Sequence, residues 1–187
     1  MSYTSHTDRP SGIAVFCSAS EGLPQEYTEA ARLVGNLIAR MGCNLVYGGS
    51  RSGLMEHLAR ATTEAGGRAV GVIPLYLVNK GMESTLCTAV HYCTTLSERK
   101  EIMMSQSRAC IALPGGIGTL DETFTVLASD QIGERRLPMI LYNVSGFFDP
   151  LIDLLRHLDE KGVGRNAAKR VKVAESIEEL EEYLREC

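Results

Sequence analysis

The stretch Ala109–Glu122, ACIALPGGIGTLDE, decides the fold. Ala109–Leu113 is short and apolar throughout, as a strand buried on both faces of a parallel sheet must be. Three glycines in Pro114-Gly115-Gly116-Ile117-Gly118-Thr119 then break the strand, and a helical pattern starts near Thr119. Glycines let backbone N–H groups approach a ligand closely. A helix N-terminus adds unpaired donors and a partial positive charge, so a phosphate is the natural guest of such a turn. The spacing fits neither the dinucleotide GxGxxG nor the triphosphate GxxxxGK[ST], which points to a single small phosphate.

The same alternation extends outward on both sides. Upstream, the pattern predicts strands at Gly12–Cys17, Asn44–Tyr47 and Arg68–Pro74, with helices at Glu26–Met41 and Leu54–Ala65 between them. The first helix carries Ala30, Leu33, Val34, Leu37 and Ile38 on one stripe and stops at Gly42. Leu75–Leu86 reads as irregular, followed by a strand around Ala89–Cys93 and a helix from about Ser97 to Ser107. Downstream come a strand at Leu137–Tyr142, a helix from about Pro150 to Glu160, a short strand at Arg170–Val173 and a helix after Ser176. The prediction is an α/β fold: one doubly wound, Rossmann-like domain over residues 12–187 with a mainly parallel sheet, preceded by a flexible tail at 1–11. Ligands then sit at the carboxyl ends of the strands.

A chain of 187 residues with 44% hydrophobic residues can bury a substantial core. Its net charge of −4 gives no electrostatic footprint for nucleic acid or an anionic membrane, so any phosphate must be held by a local site. The polar N-terminus lacks a signal-peptide pattern, and no apolar run is long enough to span a bilayer. The six cysteines form no CxxC pair and no zinc spacing. They read as buried and reduced, which predicts a cytoplasmic location. His6, His57, His91 and His157 are scattered, and no metal site is expected.

Glu122 has two readings. Thr119-Leu120-Asp121-Glu122 is T-x-x-E, a capping box in which the glutamate only ties down the helix start. The phosphate-shaped turn just ahead favours a functional carboxylate, held ionised by the helix N-terminus. Asp121 points elsewhere around the helix and reads as a surface residue. In the preceding helix, Arg99 and Lys100 fall in the first turn, where cations oppose the macrodipole; breaking a local rule in this way marks candidate functional residues. Ser18 and Ser20 leave the first strand toward the same pocket, where a ligand contact and an ordinary turn role both fit.

With these residues in place, SERKEIM (Ser97–Met103) followed by ALPGGIGTLDE resembles the paired ERKxxM and PGGxGTxxE signatures of the LOG ("lonely guy") family. These are cytokinin-activating nucleoside 5′-monophosphate phosphoribohydrolases. The likeness also covers AVFCSASEGLPQEY, LVYGGSRSGLM and AVGVIP, and runs from about Ile13 to Asp149. The resemblance implies a Rossmann-like homodimer that hydrolyses AMP, or N6-modified AMP, to free base and ribose 5-phosphate without metal or organic cofactor. Arg99 and Glu122 match the catalytic pair of the family. Gly115, Gly116, Ile117, Gly118 and Thr119 match its phosphate turn, and Lys100 the lysine of the paired signature. Gly49, Ser50 and Gly53 in the second loop and Glu83 join the substrate-binding set that the resemblance implies; Ser20 is a candidate contact from its place after the first strand, and Met103 reads first as core or dimer packing and second as a contact to the base. The second loop departs from the usual GGGxxGLMG: Ser50 replaces the third glycine and Glu56 the last. The alternative is a non-catalytic carrier of a phosphorylated ligand, as in molybdenum-cofactor carriers of the same fold. A pyridoxal-phosphate lysine decarboxylase is rejected, because no lysine stands in an evident Schiff-base context.

Overall fold

A computed structural model describes residues 11–187. Residues 1–10 of the expected tail lie outside the described residues. Ser11, its last member, is tied to Asn44 through its carbonyl and its hydroxyl, each 3.0 Å from an Asn44 nitrogen.

Seven strands, β1 (Gly12–Phe16), β2 (Asn44–Tyr47), β3 (Arg68–Pro74), β4 (Ala89–Cys93), β5 (Ser107–Ala112), β6 (Met139–Tyr142) and β7 (Val171–Ala174), form one sheet. Their order is β4-β3-β2-β1-β5-β6-β7, and every pairing is parallel. The helices are α1 (Gln25–Arg40), α2 (Gly53–Glu64), α3 (Leu75–Val78), α4 (Leu96–Ser105), α5 (Ile117–Ile132), α6 (Asp149–Glu160) and α7 (Ile177–Arg185). The expected doubly wound α/β architecture is what the chain adopts.

Alternate residues of each strand serve opposite faces. Ile13 and Val15 of β1 enter the core shared with α1, α2 and α7, while Ala14 and Phe16 enter the core shared with α4, α5 and α6. The α1–α2 contact depends on Gly35, where a Cβ would stand 2.6 Å from the Leu58 carbonyl oxygen. Four cysteines, Cys17, Cys43, Cys93 and Cys110, are buried as small hydrophobes. No helix among the described residues is long and apolar enough to cross a membrane.

Three expectations are corrected. Helix α5 begins at Ile117, with Gly116 as its N-cap, two residues ahead of the predicted start. Glycine and isoleucine are poor helix formers, but the turn ends at Gly116 and the first intrahelical bond, Leu120 N–H to the Gly116 carbonyl, is made there. Helix α4 begins at Leu96, so Arg99 and Lys100 are its fourth and fifth residues and stand just beyond the first turn. The segment expected to be irregular contains the single turn α3 and an isolated antiparallel bridge from Glu83 to Ser50.

Candidate active site

The chain winds from β1 outward through β2, β3 and β4, then returns to lay β5 on the other side of β1. The loops leaving β1 and β5 therefore diverge, which opens a crevice at the carboxyl end of the sheet. A cavity of about 230 Å³ lies there. It is lined by the end of β1 through Ser20, by Gly48 and Met55, by Arg99, and by Gly116, Gly118, Thr119 and Glu122. A larger depression, about 620 Å³, lies near Arg108, Arg135 and Pro138 and contains none of these groups.

The glycine turn is shaped by two kinds of glycine. Gly115 is pressed from inside: a Cβ there would stand 2.1 Å from Thr119 Oγ1 and 3.1 Å from the Ser18 nitrogen. The Ser18 N–H also donates to the Pro114 carbonyl at 3.1 Å, which ties the two loops together. Gly116 and Gly118 instead face open space, with nothing within 4 Å of the place a Cβ would occupy. The N–H groups of Ile117, Gly118 and Thr119 have no acceptor within the helix, so the turn presents donors to an open cavity. Ile117, 82% exposed, stands at the rim.

Arg99 is fixed from behind. Its Nε donates to the Val72 carbonyl at 3.0 Å and its Nη2 to the Gly48 carbonyl at 2.9 Å, at the ends of β3 and β2. A Cβ on Gly48 would stand 1.7 Å from Nη2, so this guanidinium position exists only because residue 48 has no side chain. An arginine offers five donors, which leaves the others for a ligand.

Glu122 lies in the second turn of α5. Burial pushes its carboxyl up to about 7, against the opposing pull of Arg99; Asp121 adds to the rise and Lys100 subtracts from it. The expectation of a carboxylate held ionised by the helix N-terminus is thus corrected. The dipole's influence decays within the first turn, and desolvation wins. The capping reading fails as well. The N-cap is Gly116 and Thr119 is the third helical residue, so Glu122 stands too far into the helix to reach back. Next to it, burial and the charge of Glu122 push the Cys17 thiol well up, so Cys17 lines the cavity as a neutral thiol.

The other expected site residues divide. Ser20 lines the cavity. Gly49 (φ +67°) and Gly53 (φ +54°) adopt left-handed backbone, and they shape the wall by packing against Gly71 and against the Ser18–Ser20 backbone respectively. Ser50 is buried, 2.7 Å from the Ser52 hydroxyl. Glu83 accepts from the Tyr92 hydroxyl at 3.1 Å. Glu56 accepts from the Ser84 hydroxyl at 2.7 Å and from Arg60 at 3.3 Å. The two departures in the second loop therefore act within the wall. Lys100 is engaged elsewhere, with Nζ 2.8 Å from both carboxylate oxygens of Asp121. Met103, only 1% exposed, packs in the core under α4, and the methionine that reaches the cavity is Met55. Sequence reasoning missed Gly48, Met55 and Cys17. Cys17 and Gly48 sit just beyond strand ends, a signal that could have marked them, whereas Met55 lies in the first turn of α2.

The family described as "Possible lysine decarboxylase" matches residues 55–184. A cytokinin riboside 5′-monophosphate phosphoribohydrolase of Rhodococcoides fascians is 37% identical over 172 residues, 90% of this chain and 86% of that protein. The chain belongs to the LOG family. A probable LOG enzyme of the same name from Oryza sativa is 36% identical over 176 residues, covering 91% of this chain and 72% of that protein. Among solved structures, the molybdenum cofactor binding protein of Rippkaea orientalis has a TM-score of 0.73 at 25% identity over 96% of this chain and 98% of that one. The molybdenum cofactor carrier protein of Chlamydomonas reinhardtii has a TM-score of 0.75 at 22% identity over 95% and 98%. These structures share the LOG fold. As for the decarboxylase description, none of the residues lining the cavity is a lysine, and Schiff-base chemistry needs one.

Proposed function

We propose that this LOG protein hydrolyses the N-glycosidic bond of AMP, or of N6-modified AMP, to the free base and ribose 5-phosphate. The observation that carries the reading is one cavity in which an open glycine turn, an anchored arginine and a carboxyl poised near neutrality converge. The names of its relatives support the same reaction class.

The 5′-phosphate is held by the N–H groups of Ile117, Gly118 and Thr119 and by the Thr119 hydroxyl, at the positive end of α5. That anchorage presents the sugar to Glu122. As the bond between C1′ and the base lengthens, positive charge builds on the ribose ring, and ionised Glu122 faces it. Water adds to C1′ and gives its proton to Glu122; the base departs with the electron pair of the broken bond and takes up a proton. A carboxyl near 7 suits a general base at neutral pH. Arg99 holds the substrate with the donors not spent on Val72 and Gly48, and Met55 supplies an apolar wall. None of these steps requires a metal or organic cofactor.

The proposal includes a homodimer in a reducing cytoplasm. Tyr76 on α3, Tyr92 on the edge strand β4 and Leu96 at the start of α4 are 45%, 52% and 50% exposed, apolar surface that a second copy would cover. Light scattering on the purified protein reads this directly, and a monomer at micromolar concentration overturns it.

The decisive test is product analysis after incubation with AMP, GMP, CMP and N6-isopentenyl-AMP, with Glu122→Gln as the blank. Free adenine from AMP, absent in the blank, is the expected result. A carrier would return each nucleotide intact, and release of no base from any of the four refutes the hydrolase reading.

A further inference from the structure

Arg99 and Glu122 stand on different helices, α4 and α5, yet line one cavity. Their sequence neighbours meet as well. Lys100 Nζ lies 2.8 Å from both carboxylate oxygens of Asp121, so one ion pair spans the two helices immediately beside the two site residues. The Lys100 side chain is only 16% exposed, whereas that of Asp121 is 53% exposed. An exposed pair of flexible side chains contributes little. Here the lysine stem is packed away, so most of its freedom is already lost and its ammonium is held at one place. A second link, Arg135 to Glu101 at 2.6 Å, ties α4 to the segment that follows α5. Lys100 is absent from the cavity lining, and its ammonium is already bound to two oxygens.

We infer that Lys100 and Asp121 are a positioning pair, which holds α4 against α5 so that Arg99 and Glu122 act on the same substrate. This rests on the proposed roles of Arg99 and Glu122. It replaces direct substrate binding by Lys100, the place that the family resemblance implied for it. The two charges also act on Glu122 with opposite sign, so the pair fixes geometry while leaving its proton affinity largely to burial and Arg99.

The test compares Lys100→Met, Asp121→Asn and the double variant Lys100→Asp with Asp121→Lys, which exchanges the charges and keeps the combined side-chain length. Misplacing a catalytic group by about 1 Å costs up to 100-fold. Each single variant is therefore expected to lose about 10-fold in kcat with KM for AMP changed less than about twofold, and the exchange to recover most of that loss. A rise in KM of about 10-fold or more in Lys100→Met, with Asp121→Asn unaffected, would assign Lys100 to the phosphate and overturn the inference. So would unchanged kcat in both single variants, or an exchange no better than either. If the wild-type protein releases no adenine, the functional reading falls while the pair is judged by urea unfolding. There the exchange must recover the midpoint that each single variant loses, and failure to do so overturns the pair.

Discussion

Three helices carry the pattern of a hydroxyl residue followed three positions later by glutamate, and only two of them use it as a cap. At the start of α4, Thr95 Oγ1 accepts from the Glu98 N–H at 3.1 Å, and Glu98 reaches back to the N–H and hydroxyl of Thr94, both at 2.7 Å. At the start of α7, Ser176 Oγ accepts from the Glu179 N–H at 3.2 Å, and Glu179 accepts from the Glu175 N–H at 2.7 Å. Both glutamates are exposed, and bonding to backbone N–H at Thr94 holds the Glu98 carboxyl below the usual range. Thr119 and Glu122 present the same four-residue spacing in α5, but the helix has already begun at Ile117. Thr119 is buried beneath Gly115, and Glu122 faces a cavity with its carboxyl pushed up to about 7. The same letters thus yield a solvated cap in two places and a desolvated carboxyl in the third. The difference lies in where the backbone turns: the helix starts from Gly116, three residues before Thr119, so Glu122 falls in its second turn and not at its cap.

The comparison breaks most visibly at the glutamates themselves. Glu122→Gln is expected to lower AMP turnover by roughly 100-fold or more with nucleotide binding retained, the scale of one catalytic group. Glu179→Gln should leave turnover at the wild-type level. Equal losses in steady-state assays of both variants would erase the distinction. Gly116→Val fills the open side of the turn and should abolish AMP binding by calorimetry, whereas normal affinity would place the phosphate elsewhere.

Gly48→Ala places a methyl where Arg99 Nη2 now sits. Its kcat should fall by about 10- to 100-fold while the fold persists, since displaced positioning groups cost on that scale. Circular dichroism alongside kinetics separates the two effects.

The pH response follows from the raised carboxyl. Glu122 must be ionised to act as a base, so kcat should climb as pH rises through about 7 and level off above it. Stability runs the other way. Below the ordinary value of 4.5 the folded and unfolded chains both hold the proton and nothing is lost. Between 4.5 and about 7 the unfolded chain releases it first, so the penalty on folding grows, and above 7 it is complete. Glu122→Gln should therefore be more stable than wild type at pH 8, by up to about 3 kcal/mol in urea unfolding, and little different at pH 4. Glu98, whose carboxyl the Thr94 backbone N–H holds below the usual range, carries no such cost. The smallest effect is expected at Ser176→Ala, which loses one cap and about 1 kcal/mol of stability with unchanged turnover.

Much of this molecule is legible from local pattern. Each of the seven strands falls within two residues of its expected ends, because an apolar run bounded by glycine or proline has few other ways to bury itself. The glycine turn was legible from its residue types, and Arg99 and Glu122, paired by the family resemblance, line one cavity. Local pattern misplaced the start of α5, expected near Thr119 and found at Ile117, while Met103 fills the core, the first of its two readings.

The sequence by itself determined a doubly wound α/β domain and a glycine turn at Pro114–Thr119 at a strand's carboxyl end, since strand length, glycine position and helix periodicity are local properties. Tertiary structure alone decided the state of Glu122, the seat of Arg99 and the engagement of Lys100. Desolvation depends on what packs around a carboxyl. The arginine is held by carbonyls at positions 48 and 72, and the lysine meets an aspartate 21 residues away on the next helix. No window along the chain contains those neighbours, because the sheet order that brings β2, β3 and β5 together at one end of the molecule is a property of the whole fold.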